Sequence, residues 1–453
     1  MSWRRDDVCH IEAVTPLTAD HLPGYIKILA MISPRMRHTR RLAAAAALLT
    51  TATLMAPGTA AAAQDPVVLD RQALQQTLDA AHKAGMYGML STVRDGNRTW
   101  QGSTGVADVT TKRPMHPRMT HRVGSISKTF ASVAVLQQVA RGTIELDAPI
   151  GRYLPDLVPG ERGKKITVRM LLNHTSHIAD YIAPAFPSLL EGRTSSLDEH
   201  RFRKIKPAEL VKMGLEGTPT GEPGATPGSY SNTNYVIIGL LLEKVTGENA
   251  ERHITRNVIR KAGLRHTSYP RTPRIPGSHS KAYESWYGLI DPPRDYSVYD
   301  MSYVRTAGDV VSTMDDLNRF YRELLRGRLI GAKQLAEMQT TVPVNVGGGY
   351  LHYGLGLYAA DLQCGRFWGH DGAVFGMGAQ SLSSPDGKRQ ISFGMNLMKY
   401  QRIGDDGQLE PSEIDNAMGN HLVLALCGKG GATAKAEQKP FVPFPTGRTT
   451  VKR

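Results

Sequence analysis

Apolar residues recur at helical spacing in Pro66–Ala84 (Leu69, Leu74, Leu78, Ala81), and Gly85 follows, which predicts a first helix closing at a glycine. Tyr87–Val93 and Asn97–Val106 then flank Asp95-Gly96, a turn signal that predicts a hairpin. A helix opens at Ser125, runs through Phe130, Val133, Val135, Leu136 and Val139, and stops near Gly142. Residues 143–300 read as short helices and Pro/Gly-rich loops, with helices at Val168–Leu172, Pro207–Leu215, Thr233–Val245 and Ala250–Ala262, the last two closed by Gly247 and Gly263. Residues 305–427 predict helices at Met314–Leu325 and Gly331–Met338. Strands follow at Tyr353–Tyr358, Arg366–Gly369, Met377–Ser383 and Gln390–Leu397, with Pro385-Asp386-Gly387 turning between the last two, and a final helix spans Ser412–Leu426. The pattern predicts an α/β (α+β) fold: an antiparallel sheet completed by both ends of the chain (64–142 and 301–427), flanked by helices, with an all-helical subdomain at 143–300. A cleft between the two would hold a site.

The N-terminus changes the expected compartment. Met36 to Arg41 is basic, Leu42–Met55 is apolar, and Ala61-Ala62-Ala63 offers small residues for cleavage, the order of a secretory signal peptide over 36–63. Residues 1–35 read as an upstream extension, with translation starting at Met31 or Met36. The most apolar later run, Tyr235–Leu242, is ended by Glu243-Lys244, too short for a membrane span. Cys9 precedes the signal, so Cys364 and Cys427 remain as a candidate disulfide or as two buried thiols. The net charge of +14 divides into +3 for residues 1–63, +5 for the flexible basic tail 428–453, and +6 for the body. That modest excess, with no zinc-finger spacing or aromatic-basic module, gives no support to nucleic-acid binding and fits solvation or attraction to an anionic cell-wall polymer.

Three short segments carry the candidate chemistry. Ser125-Ile126-Ser127-Lys128 places a hydroxyl and an amine three residues apart at a helix start, so the amine can reach Ser125 Oγ and help remove its proton. Taken singly, the tetrad could be chance and Ser125 a helix cap. Tyr230-Ser231-Asn232 precedes the helix near Thr233, with Asn232 also a candidate N-cap. His370-Asp371-Gly372 follows a strand ending at Gly369, its glycine allowing close approach of substrate. His174 and His177 form an i, i+3 pair without a third ligand at metal spacing, and read as structural. Ser127 is expected to pack or bond locally.

In this order the three segments resemble the Ser-x-x-Lys, Tyr-x-Asn and His/Lys-x-Gly motifs of penicillin-recognising serine hydrolases. The chain is most similar to soluble secreted D-Ala-D-Ala carboxypeptidases, relatives of class C β-lactamases and of esterases, over roughly residues 66–430. Leu171–Ser176, Tyr353–Leu357 and Cys427-Gly428-Lys429 resemble further landmarks. The resemblance implies a β-lactamase/transpeptidase-like fold and an acyl-enzyme at Ser125. Lys128 and Tyr230 would share the proton work, the ammonium lowering the phenol pKa. Asn232 would bind the substrate carbonyl and fix Lys128, His370 would stand near the leaving group, and the N–H groups of Ser125 and Ala373 would form the oxyanion hole, with Asp371, Gly372 and Ala373 lining the substrate.

The expected protein is a monomer needing no cofactor or metal. The resemblance implies a D-Ala-D-Ala carboxypeptidase and penicillin-binding enzyme acting on peptidoglycan-type peptides, with a small ester or β-lactam as the other expected substrates. Two departures bear on specificity. Carboxypeptidases of the family place hydroxyl residues and an Arg where this chain has Asp371, Ala373 and Tyr358-Ala359-Ala360, and Asp371 would repel a substrate carboxylate. His177 stands where relatives have Gly. Asp371 could instead bind a substrate amine, as in a D-amino-acid amidase or aminopeptidase. An esterase and a non-catalytic β-lactam or peptidoglycan binder complete the alternatives.

Overall fold

The computed structural model describes residues 69–347, 349–404, 409–410 and 412–429. The signal segment 36–63, the extension before it and the tail beyond Lys429 lie outside the described residues.

The main sheet uses nine strands: β1 Gly88–Asp95, β2 Arg98–Gly105, β3 Gly228–Ser229, β4 Val342–Asn345, β5 Tyr350–Tyr353, β6 Tyr358–Leu362, β7 Gly365–Val374, β8 Met377–Ser383 and β9 Arg389–Met395. Their order is β2-β1-β9-β8-β7-β6-β5-β4-β3, antiparallel throughout except for the short β3–β4 pair. The N-terminal hairpin therefore joins the C-terminal strands through β1–β9, and Asp95 pairs with Arg389.

Five long helices frame the sheet: α1 Arg71–Lys83, α2 Ser127–Ala140, α3 Asn232–Thr246, α4 Met314–Leu325 and α5 Glu413–Cys427. Asp70 caps α1 by accepting from Ala73 N, and Ser412 caps α5 through Ile414 N. The buried side of α1 and α5 shares a core with Met89, Val93, Ile391 and Phe393 of the sheet. The opposite face packs on α2, α4 and the 143–300 segment through Phe130, Leu317, Phe320 and Ile237. Every residue of α2 from Ser127 to Gln138 is buried, so this helix is a central strut rather than an amphipathic surface helix. Phe130 stacks on Phe320 with ring centroids 3.8 Å apart.

Several sequence expectations need correction. The strand predicted over Tyr353–Tyr358 is two strands, β5 and β6, separated by a turn. Gly356 in that turn has φ +83°, and a Cβ there would lie 2.0 Å from Ser132 Oγ of α2, so close packing against the strut bends the chain. The strand predicted to end at Gly369 continues to Val374, so His370-Asp371-Gly372 lies within β7. In the segment Ala250–Ala262, α winding gives way to a π turn over Thr255–Ile259. Ser127 bonds at long range: its Oγ accepts from Val310 N at 3.0 Å. The sulfurs of Cys364, beside β7, and Cys427, at the end of α5, are bonded, with Cα atoms 5.4 Å apart.

Candidate active site

Ser125 sits in a single 3-10 turn, Gly124–Ile126, that feeds directly into α2. It caps no helix. The turn is held from behind by Arg122, whose buried guanidinium donates to the carbonyls of Pro273, Tyr296 and Tyr299. Gly124 has φ +51°, and a Cβ there would lie 2.5 Å from Ala373 N. A Cβ on Gly372 would lie 2.0 Å from Val123 O and 2.5 Å from Ser125 N. The two glycines let β7 press its backbone against the serine turn, which brings the amides of Ser125 and Ala373 into one neighbourhood.

Lys128 is fully buried one turn on, and its Nζ donates to Ser125 Oγ at 2.9 Å, Asn232 Oδ1 at 2.7 Å and Ala307 O at 2.9 Å. Two of these partners are carbonyl oxygens that only accept. A neutral amine has two hydrogens and one lone pair, so satisfying both carbonyls turns its lone pair to the Ser125 hydroxyl. Burial pushes the Lys128 pKa down to about 7, against the opposing pull of the Asp180 and Asp371 carboxylates. The amine is thereby poised as a base near neutral pH.

Asn232 is the first residue of α3, and the N-cap position falls to Ser231, correcting the capping alternative. Its Nδ2 donates to Asp180 Oδ2 at 2.8 Å, which fixes the amide with Oδ1 toward Lys128 and leaves Nδ2 its second hydrogen. The preceding turn is pinned on both sides, by Ser229 N to His174 O at 2.9 Å and Tyr230 N to Asn345 O at 3.0 Å. Tyr230 stands in the same cluster, with Lys128 Nζ 5.0 Å from its ring centroid. The expected lowering of its pKa is reversed: burial first, then the charges of Asp371 and Asp180, hold the phenol well above its usual range. Tyr230 therefore stays a proton donor.

His370 lies in the same cluster, yet both ring nitrogens are engaged. Nδ1 donates to the Asp371 carbonyl, and Nε2 accepts from the Tyr353 hydroxyl at 2.7 Å. Burial and the nearby Lys128 charge depress its pKa to about 3, so the ring is neutral. Its expected place near the leaving group is thus occupied by an imidazole with no proton to spare. Asp371 is largely buried, with Oδ1 3.6 Å from His370 Nδ1, and burial raises its pKa to about 6. Tyr358, whose hydroxyl accepts from Gln380 Nε2 at 2.7 Å, packs beside the same strand, its ring centroid 5.6 Å from that of His370. The pair His174 and His177 does not converge: the His177 ring nitrogens face Thr220 Oγ1 and Ala225 O, each at 3.0 Å.

The structure thus gathers Ser125, Lys128, Tyr230, Asn232, His370, Asp371, Gly372 and Ala373 around one point, and adds Asp180, Ala307, Tyr353 and Tyr358. Tyr353 stood inside a recognised landmark and could have been singled out there. Asp180, in an irregular loop, and Ala307, which contributes only a carbonyl, gave no signal.

The chain belongs to the β-lactamase family, whose sequence model matches residues 71–405. A D-stereospecific amidohydrolase from Streptomyces sp. superposes with a TM-score of 0.68 at 34% identity, covering 80% of this chain and 99% of that one. A penicillin-binding protein of Bacillus subtilis is 25% identical across 72% of this chain and 71% of its own length. A D-aminopeptidase of Cereibacter sphaeroides is 26% identical over 72% of this chain, which spans only 60% of that relative. The chain is accordingly a serine hydrolase of the β-lactamase and penicillin-binding class. Among the described residues, no helix is long and apolar enough to cross a membrane.

Proposed function

We propose that this protein is a secreted amidohydrolase that forms an acyl-enzyme at Ser125 and acts on amides or short peptides of D-amino acids bearing a free amino group. The observation that carries the reading is the largely buried Asp371 carboxyl on β7, at the position where a carboxypeptidase would need cationic or hydroxyl donors. A carboxylate there attracts a substrate ammonium and repels a substrate carboxylate. The D-stereospecific amidohydrolase and D-aminopeptidase relatives support the same substrate class. The Cys364–Cys427 bond and the segment 36–63 support export.

Lys128 takes the Ser125 proton as Oγ attacks the carbonyl carbon, and the N–H groups of Ser125 and Ala373 receive the oxyanion. Asn232 Nδ2 orients the substrate carbonyl. Collapse of the tetrahedral intermediate breaks the C–N bond, and the departing amine takes its proton from Lys128, relayed by the Tyr230 hydroxyl. Water then repeats the sequence on the ester, with Lys128 again the base.

The test compares D-amino-acid amides, an acyl-D-Ala-D-Ala peptide and nitrophenyl esters on the full-length protein. The amides should be preferred, and Ser125→Ala should lose about 10⁵ to 10⁶ in kcat together with any penicillin mass adduct. Preferential release of D-Ala from the blocked peptide would instead establish the carboxypeptidase reading.

A further inference from the structure

His174 lies under the reacting groups in a conformation the chain does not adopt freely. It is fully buried with φ +61°, a left-handed backbone for a residue with a Cβ. Ser176 Oγ donates to Asn234 Oδ1 at 2.6 Å, which turns Asn234 Nδ2 toward His174 Nδ1 at 3.1 Å. Ser231 N donates to the same Nδ1 at 3.2 Å. Two donors on Nδ1 require a lone pair there, so the ring proton resides on Nε2. That Nε2 is buried without a hydrogen-bond partner among the described residues. The ring lies 4.2 Å from the Tyr230 ring, tilted by 31°, and 4.8 Å from Tyr353. Burial first, then the neighbouring Lys128, keeps His174 neutral.

We propose that His174 is a positioning residue for the Tyr230 phenol: a neutral imidazole locked in the Nε2–H form that carries the phenol ring on its face and the Tyr230-Ser231 turn on its Nδ1. The two contacts fix the Tyr230 ring and the peptide N–H that follows it, at Ser231, so the phenol is oriented by one rigid support. The proposal rests on the reading of Tyr230 as a proton donor to the reaction.

The experiment is a double-mutant cycle of His174→Asn and Tyr230→Phe, with turnover normalised to sites titrated by acylation. Asn offers an acceptor near Nδ1 and tolerates a left-handed backbone, but removes the ring face. It should lower per-site kcat about 10- to 100-fold with little change in KM, as expected for a catalytic group misplaced by a fraction of an ångström to an ångström. In the Tyr230→Phe background the same change should alter kcat less than about twofold, because the group being positioned is gone. Equal losses in both backgrounds would overturn the positioning role alone. Wild-type turnover in Tyr230→Phe would overturn the assignment of Tyr230 itself and this role with it. Independently of any variant, ¹⁵N spectra of the native protein should show one imidazole fixed as Nε2–H from pH 5 to 9. Assignment of His174 as Nδ1–H, or its titration in that range, would refute the proposal.

Discussion

The two walls of the site are built differently. The wall bearing Ser125, Lys128, Tyr230 and Asn232 comes from helix starts and turns, and its polar atoms are tied together: Lys128 Nζ alone engages Ser125 Oγ, Asn232 Oδ1 and Ala307 O. The opposite wall is β7, whose contribution is a backbone pressed close by two glycines and one largely buried carboxyl, Asp371. The first wall uses burial to make an amine basic. On the proposed function, the second uses the register of a strand to set which substrate the amine acts upon. Chemistry and specificity are therefore separable by mutation.

Lys128→Met is the strongest way to break the first wall without touching the nucleophile. It should lower kcat about 10³- to 10⁴-fold, toward the upper end for a general base. On the proposed mechanism the base is the neutral amine, so kcat/KM should rise with pH through about 7 and level off above, and this acid limb should vanish in the variant. A persisting limb near 7 would assign it to another group.

Gly372→Ala attacks the junction of the walls. Its Cβ would meet Val123 O and Ser125 N, so β7 must retreat from the serine turn. The expected loss is about 10² to 10³ in kcat, the cost of one oxyanion donor, with about 1–3 kcal/mol of lost stability by urea unfolding. Undiminished turnover would place the oxyanion elsewhere.

Asp371→Asn should leave the first wall intact and change preference. For a substrate with a free ammonium, kcat/KM should fall about 10- to 100-fold, in line with one charge-assisted hydrogen bond, while a neutral ester should be hydrolysed at nearly the native rate. Because the Asp371 pKa is raised to about 6, the native preference for the ammonium substrate should also fade as pH drops below that value. Equal losses on both substrates would make Asp371 part of the chemistry.

The smallest effect on turnover is expected from Cys364→Ser. Releasing a cross-link between residues 63 apart in sequence should cost up to about 4 kcal/mol of stability, read from the unfolding midpoint, with unchanged per-site kcat. A fall in kcat would show that the β6–β7 end of the sheet communicates with the site.

Much of this was legible in the chain because it is local. Periodicity located Met314–Leu325 to the residue, since Thr313 caps a strongly amphipathic helix. The spacing of Ser125 and Lys128 already places amine and hydroxyl on one helix face. What spacing could not show is that two carbonyls, one from α3 and one from a turn near residue 307, would claim the amine's hydrogens. Nor could it show that burial would outweigh charge at Tyr230, or that Tyr353 and a backbone carbonyl would engage both nitrogens of His370. The split of Tyr353–Tyr358 into two strands likewise depends on Ser132 standing against Gly356.

The sequence by itself determined the chemical inventory and the order of the helices and strands, because helix faces, turns and caps depend on neighbours a few residues apart. Only the tertiary structure decided protonation states and reach. Those depend on desolvation and on partners contributed by segments far along the chain, as between Lys128 and Ala307, 179 residues apart.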